Sequence, residues 1–381
     1  MVAALAHILH QFIHQRPLVK LTREIRIALA LAGWAVATVP LSFWPGGSVA
    51  FLLDVYFKTL VVFWLLVSLV TTLERLASVI WGLSLMAVPL AFTGVNHFLS
   101  GVFLPGRGTA RIIGYEGPLT ENPNDLALML NLILPFSIGP LFTSRRPFVR
   151  VLLAAIIALE VVAIIASFSR AGFLVLAITF AIYLKALFKR GWHAWAGVAL
   201  IFVFLAVPFL PQNYVERLGT IVEIESDPTG SAQNRWADMI ASAKFVLSHP
   251  IVGSGIGLNA LALNKVRGET WMEVHNVYLE HAVELGIPGL LLFIILLKGC
   301  LRIAKEVRRK SEQNGYTELF HHAESIRISL IAFAVGALYH PVAHQFHFYY
   351  IAGLAIAAKT ILHAIETESV AASSPSLQEI H

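Results

Sequence analysis

The sequence predicts an all-α fold: a polytopic bundle of about ten membrane-crossing helices with one long connection on a single face. Three observations carry this. The chain is 57% hydrophobic and 13% charged, with a mean hydropathy of +0.72, whereas a soluble domain is about 45–50% apolar. Its apolar residues recur in runs of about 16–22, the length a helix rising 1.5 Å per residue needs to cross about 30 Å of hydrocarbon. Finally, its lysines and arginines gather on one side when those runs alternate in direction.

The runs lie near 26–44, 58–73, 77–99, 126–143, 151–168, 172–188, 194–210, 286–301, 328–346 and 348–365. Ahead of the first, the His-rich opening reads as an interfacial helix leading into a signal anchor, with no cleavage site. Arg16, Lys20, Arg23 and Arg26 precede the first run, and Arg145, Arg146 and Arg150 follow the fourth. Lys185, Lys189 and Arg190 follow the sixth, while the 298–327 connection carries Lys298, Arg302, Lys305, Arg308, Arg309, Lys310 and Arg327. The positive-inside rule makes this shared side cytoplasmic and puts both termini there. The same rule accounts for the pI of 9.3, so nucleic acid is not expected as a partner.

The opposite side receives a short 45–57 turn, the 100–125 loop, the tight turn "SFSRAG" (167–172) and a long acidic loop over 211–285. Within that loop, "RWADMIASAKFVLSH" (235–249) places apolar residues at helical spacing, predicting a short amphipathic helix along the membrane face. The chain reads as one integral membrane domain, 1–381, with a disordered cytoplasmic tail at 366–381. Cys300 is the single cysteine, which excludes an internal disulfide and a multi-cysteine metal site.

Polar groups kept at one interface of such a chain are the functional candidates, because burying them in lipid is costly. In "ENPNDLALML" (121–130), Asn122, Pro123, Asn124 and Asp125 suit a helix N-cap as well as a substrate contact. In "SFSRAG", Ser169 and Arg170 stand at a helix–helix turn. Arg170 could snorkel to headgroups, yet it lies on the side that disfavours cations, where a planar guanidinium could grip phosphate bidentately. "HPIVGSGIGLNAL" (249–261) has the glycines of a tight turn but neither the spacing of a nucleotide loop nor the frame of a hydrolase elbow. In "EVHNVYLEHAVELGIPG" (273–289), His275 sits in an aqueous setting just before a span, where a neutral imidazole can take a proton from a hydroxyl. Asn276, Tyr278 and Glu280 follow it. His340, His344 and His347, at i, i+4 and i+7, would share one helical face and resemble a metal half-site, but no convergent Cys or carboxylate accompanies them, and no metal is assigned. Glu160, in mid-span, must face the bundle or be protonated.

Taken in order, "ENPNDLA", "SFSRAGFLVL", "NRWADMI", "HPIVGSGIG" and "VHNVYLEHAVELGIPGLLLF" resemble the O-antigen ligase/polymerase family of bacterial envelope glycosyltransferases, over roughly residues 100 to 300. The resemblance implies a metal-independent and cofactor-free glycosyltransferase of the bacterial inner membrane. Its active site would be periplasmic, moving a glycan from a polyprenyl-pyrophosphate carrier to an acceptor sugar hydroxyl on lipid A core or a growing polysaccharide. By matching motif, Arg170 would hold the donor pyrophosphate, Arg235 would be a second phosphate or acceptor contact, and His275 the base or orienting group. Asn124, Ser169, Asn276, Tyr278 and Glu280 would line the substrate site. The chain departs from the family in having fewer spans, with the shortfall at the N-terminus. An ion-coupled transporter using Glu160 with His340, His344 and His347 is the alternative. A third reading, an intramembrane protease, would rest on Ser169 and His344.

Overall fold

The computed structural model describes residues 21–103, 111–115, 120–191, 193, 197, 200, 230–268 and 271–373. Among them every regular element is helical, and the only bridge is an isolated one between Phe103 and Ile112. A helix satisfies each backbone N–H and C=O within its own segment, which hydrocarbon requires. Eight of the described helices are long and apolar enough to cross a membrane. Leu29, Leu53, Phe57, Met86, Phe92 and Val151 are exposed on them, an apolar exterior that a lipid-facing surface needs and a soluble protein would not carry. The chain is an integral membrane protein.

Helix α1 (Arg23–Thr38) starts at Thr22, whose Oγ1 accepts the Ile25 N–H at 3.3 Å. Helix α2 (Pro45–Leu69) contains a π-helical turn at Leu52–Tyr56. The stretch 45–57, expected as a turn, is therefore helix. Gly46 and Gly47 disfavour a helix by propensity, but Pro45 opens it at its first position and the Trp44 ring lies where a Cβ on Gly47 would sit. Helix α3 covers Leu73–Leu99, and α4 (Pro123–Thr143) begins on an Asn122 cap and Pro123. Helix α4 is buried over almost its whole length, making it the central post. Helices α5 (Pro147–Ala166) and α6 (Arg170–Lys189) form a hairpin beside it. The N-terminal interfacial helix and almost all of the run at 194–210 lie outside the described residues.

In the long connection, α7 (Ser231–Ser248) is the amphipathic helix expected there, and α8 (Asn259–Arg267) follows. Asp238 and Arg267 pair between them. Helix α9 (Val277–Gln313) has 37 residues but loses helical geometry at Gly286, where φ is 68° and ψ −174°. Glycine alone takes that conformation without strain, and Pro288, two residues on, cannot donate to the helix ladder. The expected span at 286–301 thus begins at a real break.

Helix α10 runs over Thr317–Gly336, not over 328–346. It carries Glu318, Glu324 and Arg327, which made it read as a loop; in the bundle Glu324 accepts Arg327 Nε at 2.8 Å and stands 2.8 Å from Arg308 Nε. After Gly336 the chain leaves the helix until α11 (Phe346–Ser373). His340 and His344 therefore lie in a connection and His347 in the first turn of α11, so the three imidazoles do not share a helical face. Helix α11 also extends to Ser373, into the segment 366–381 expected to be disordered.

The two ends of the bundle differ. At one, Lys310 Nζ lies 3.2 Å from Glu366 Oε1 and the Arg190 guanidinium stacks on Phe320 at 4.6 Å. At the other, Phe43 N–H donates to the Ser254 oxygen and Val277 N–H to the Ala337 oxygen, each at 2.8 Å. The candidate residues gather at this second end.

Candidate active site

The Asn122 cap places Asn124 in the first turn of α4, with its Oδ1 accepting Arg111 Nη2 at 2.8 Å. The main-chain oxygen of Asn124 meets His340 Nε2 at 3.1 Å, while His340 Nδ1 lies 2.9 Å from the Gly336 oxygen. Burial first, then other effects including the positive charge of Arg235, lower the pKa of His340 to about 4. The ring is thus neutral at physiological pH and can donate from only one of those two nitrogens.

His275 is held from both sides. Val274 N–H donates to Asn259 Oδ1 at 2.9 Å, and Asn276 Oδ1 caps α9 by accepting Tyr278 N–H at 3.0 Å and Leu279 N–H at 3.1 Å. With Val274 and Asn276 buried, the residue between them is turned outward, its Nδ1 2.8 Å from the Glu273 oxygen. That contact favours the tautomer with the proton on Nδ1 and leaves the Nε2 lone pair available. Burial, with Arg235's charge second, lowers the His275 pKa to about 4. Glu273 shifts the other way: burial and the Glu284 carboxyl raise it.

Arg235 sits at the start of the second turn of α7 and acts electrostatically on His275, His340 and Asp125. Asp125 is also within reach of Arg111 and Glu273. The α5–α6 turn is rigid. Ser169 N–H donates to Ser167 Oγ at 3.2 Å, Ser169 Oγ accepts Gly172 N–H at 3.2 Å, and Phe168 is buried with φ at 53°. Asn131, wholly buried, donates to the Gly172 oxygen at 3.0 Å, and Ala127 occupies the space of a Cβ on Gly172. Ala127 is one turn below Asn124, so Arg170, at the start of α6, opens onto the same end of the bundle.

Of the expected site residues, Asn124, Arg235 and His275 converge, and Arg170 and Ser169 stand at the same rim. Asn276, Tyr278 and Glu280 face inward to the fold: the Tyr278 hydroxyl donates to the Ala334 oxygen at 2.8 Å and Glu280 Oε2 accepts Ala343 N–H at 3.1 Å. Arg111 was missed; its signal was a cation on the face that the positive-inside rule disfavours. Among the described residues no group of three or more His, Cys, Asp and Glu is arranged to hold a metal ion. Glu160 is buried and accepts the Ser137 hydroxyl at 2.8 Å, while His340 contacts Asn124 and His344 contacts Glu284, so the transport set is divided among separate partners. Ser169, 1% exposed, is a helix cap.

A family model described as O-antigen ligase matches residues 152–294. Over this segment the chain is similar to the O-antigen ligase family. The O-antigen ligase match takes in the Arg170 turn, Arg235, the glycine-rich stretch and the whole of 274–293, while Arg111, Asn124 and His340 contribute to the same rim from outside it. No curated protein matches the sequence. A chain in the solved structure described as "Structural coordination of polymerization and crosslinking by a peptidoglycan synthase complex" aligns over 89% of this chain and 97% of its own, at 18% identity and a TM-score of 0.40. That likeness fixes neither the topology nor the activity of the matched segment.

Proposed function

We propose that this protein is a membrane glycosyltransferase that moves a glycan from a polyprenyl-pyrophosphate carrier to an acceptor hydroxyl at the periplasmic face of the inner membrane. The observation that carries the reading is the placement of His275 within reach of the Arg235 charge, at the rim that also bears Asn124 and Arg170, within or beside the family match. The acceptor oxygen attacks the anomeric carbon, the bond from that carbon to the pyrophosphate oxygen breaks with its electron pair, and the hydroxyl proton passes to His275 Nε2. Arg170 and Arg235 stabilise the charge that grows on the departing pyrophosphate. With its pKa lowered to about 4, His275 is a weak base; the negative charge of a donor pyrophosphate would offset the positive field of Arg235 and raise its basicity toward the range where proton transfer is effective.

On this reading the guanidinium groups supply the cationic charge and the transfer needs no metal. Lipid A core and a growing polysaccharide are both acceptors of the right chemistry. The test is the glycan profile of a deletion strain. Loss of polymer from lipid A core with the lipid-linked polymer still present means ligase, and single-repeat products mean polymerase. An unchanged profile overturns the proposal.

A further inference from the structure

Glu284 is 0% exposed, yet three N–H donors converge on its carboxyl. Oε1 accepts the Asn259 main-chain N–H at 3.1 Å and Asn259 Nδ2 at 2.6 Å, while Oε2 accepts Gly257 N–H at 2.8 Å and lies 2.9 Å from His344 Nε2. The main chain adds to this, with Ser254 N–H donating to the Val283 oxygen at 2.8 Å and Gly255 N–H to the Glu284 oxygen at 2.9 Å. Gly253, Gly255 and Gly257 take φ values of 73°, 100° and 75°, which let successive amides turn in on one helix. The sequence read these glycines as a tight turn; the turn serves to wrap Glu284.

The far end of this arrangement is the active-site histidine. Asn259 uses both ends of its side-chain amide, donating to Glu284 and accepting Val274 N–H at 2.9 Å. Val274 immediately precedes His275. We propose that Glu284, acting through Asn259, is the positioning residue that fixes where His275 presents its imidazole to the acceptor hydroxyl. The inference rests on the role given to His275 above. A carboxyl is needed because both oxygens must accept; a glutamine would turn an NH₂ donor against one of the N–H groups.

The test uses the purified full-length protein in lipid nanodiscs, with a polyprenyl-pyrophosphate-linked oligosaccharide from the host as donor and its core glycolipid as acceptor. Release of polyprenyl pyrophosphate is followed in single turnover. Glu284→Gln and Asn259→Ala are expected to lower the rate constant by about ten- to a hundred-fold, with donor KM changed by less than about two-fold. The double variant Glu284→Gln/Asn259→Asp, which exchanges donor and acceptor across the side-chain contact but leaves the main-chain N–H of residue 259 facing the glutamine NH₂, should recover only part of the loss. In a His275→Ala background neither single change should lower the residual rate further, because the group they aim is gone. Full activity in Asn259→Ala, or an equal fold-loss with and without His275, overturns the proposal. Full activity in His275→Ala alone instead removes the role given to that histidine, a result read independently of Glu284.

Discussion

His340 Nε2 stands 3.1 Å from the main-chain oxygen of Asn124, a contact bridging 216 positions of sequence. It joins the first turn of the central helix α4 to the connection between α10 and α11, and Val277 N–H ties the start of α9 to the Ala337 oxygen at 2.8 Å in that same connection. The residues flanking His275 and those around Asn124 are thereby parts of one rigid rim, and the geometry yields several expectations.

Replacing Arg170 or Arg235 by alanine should reduce the rate of transfer by about 10²–10³-fold with the protein still inserted and accumulating. Lysine at either place should give an intermediate rate, since it keeps the charge but not the planar fork. The measurement is turnover of lipid-linked donor per mole of purified protein; wild-type turnover in Arg170→Ala removes that residue from the phosphate site.

The acid limb of kcat/KM should fall near pH 4, the value to which burial and Arg235 bring His275, and not near its ordinary 6.5. Arg235→Ala should move the limb upward but not fully to 6.5, because burial is the larger cause. The sign for stability agrees. The folded value lies below the unfolded one, so the unfolded chain takes up the proton first, and the contribution present above about 6.5 is lost as pH falls toward 4. A limb that stays fixed in the Arg235 variant would contradict the electrostatic contact.

Gly286→Ala should destabilise the fold by about 1–3 kcal/mol. The position has φ at 68°, and a Cβ there would meet the main-chain oxygens of Ile251 and Pro250. Cys300, fully buried on the same helix, is a built-in reporter: a thiol-reactive dye should label it at a lower temperature in the variant than in the wild type.

Cysteines placed at Leu99 and Trp271, which are 78% and 68% exposed, should react in intact cells with an impermeant maleimide able to cross the outer membrane. A cysteine at Phe148, 78% exposed at the opposite end, should react only after lysis. The reverse pattern would put the rim on the wrong side for a lipid-linked periplasmic donor.

Transfer should be insensitive to EDTA. Strong inhibition, reversed by a single divalent ion, would show that the arginines do not supply the needed charge alone.

Much of this was legible in the sequence, and the parts that were not have physical reasons. The cap at Asn122 was readable because it sits just before an apolar run, where orphan backbone N–H groups need an acceptor; Ser169 and Asn276, expected as substrate contacts, cap α6 and α9 in the same way. Helix α10 was displaced in the reading because Glu324 and Arg327 look like loop residues until Arg308, from another helix, joins their pairing. The start of α2 was hidden by Gly46 and Gly47, whose low propensity is overridden by packing under Trp44. Glu280 looked like a site residue by proximity to His275, but helical rotation carries its carboxyl inward to Ala343. The work of Glu284 was invisible because the partners its carboxyl binds, Gly257, Asn259 and His344, lie at least 25 positions away in sequence.

Helix α9 also bears on how the protein tolerates different membranes. Beyond the break at Gly286 it continues to Gln313, long enough to extend about 40 Å against about 30 Å of hydrocarbon, and the surplus ends in the basic segment from Arg302 to Lys310. Since the portion around Gly286 is clamped to residues 250–257, a thicker or thinner bilayer is best accommodated by sliding or tilting that basic stub through the headgroups. Hydrophobic mismatch would then be absorbed far from the rim that bears His275, and the height of that rim would stay constant as lipid composition changes.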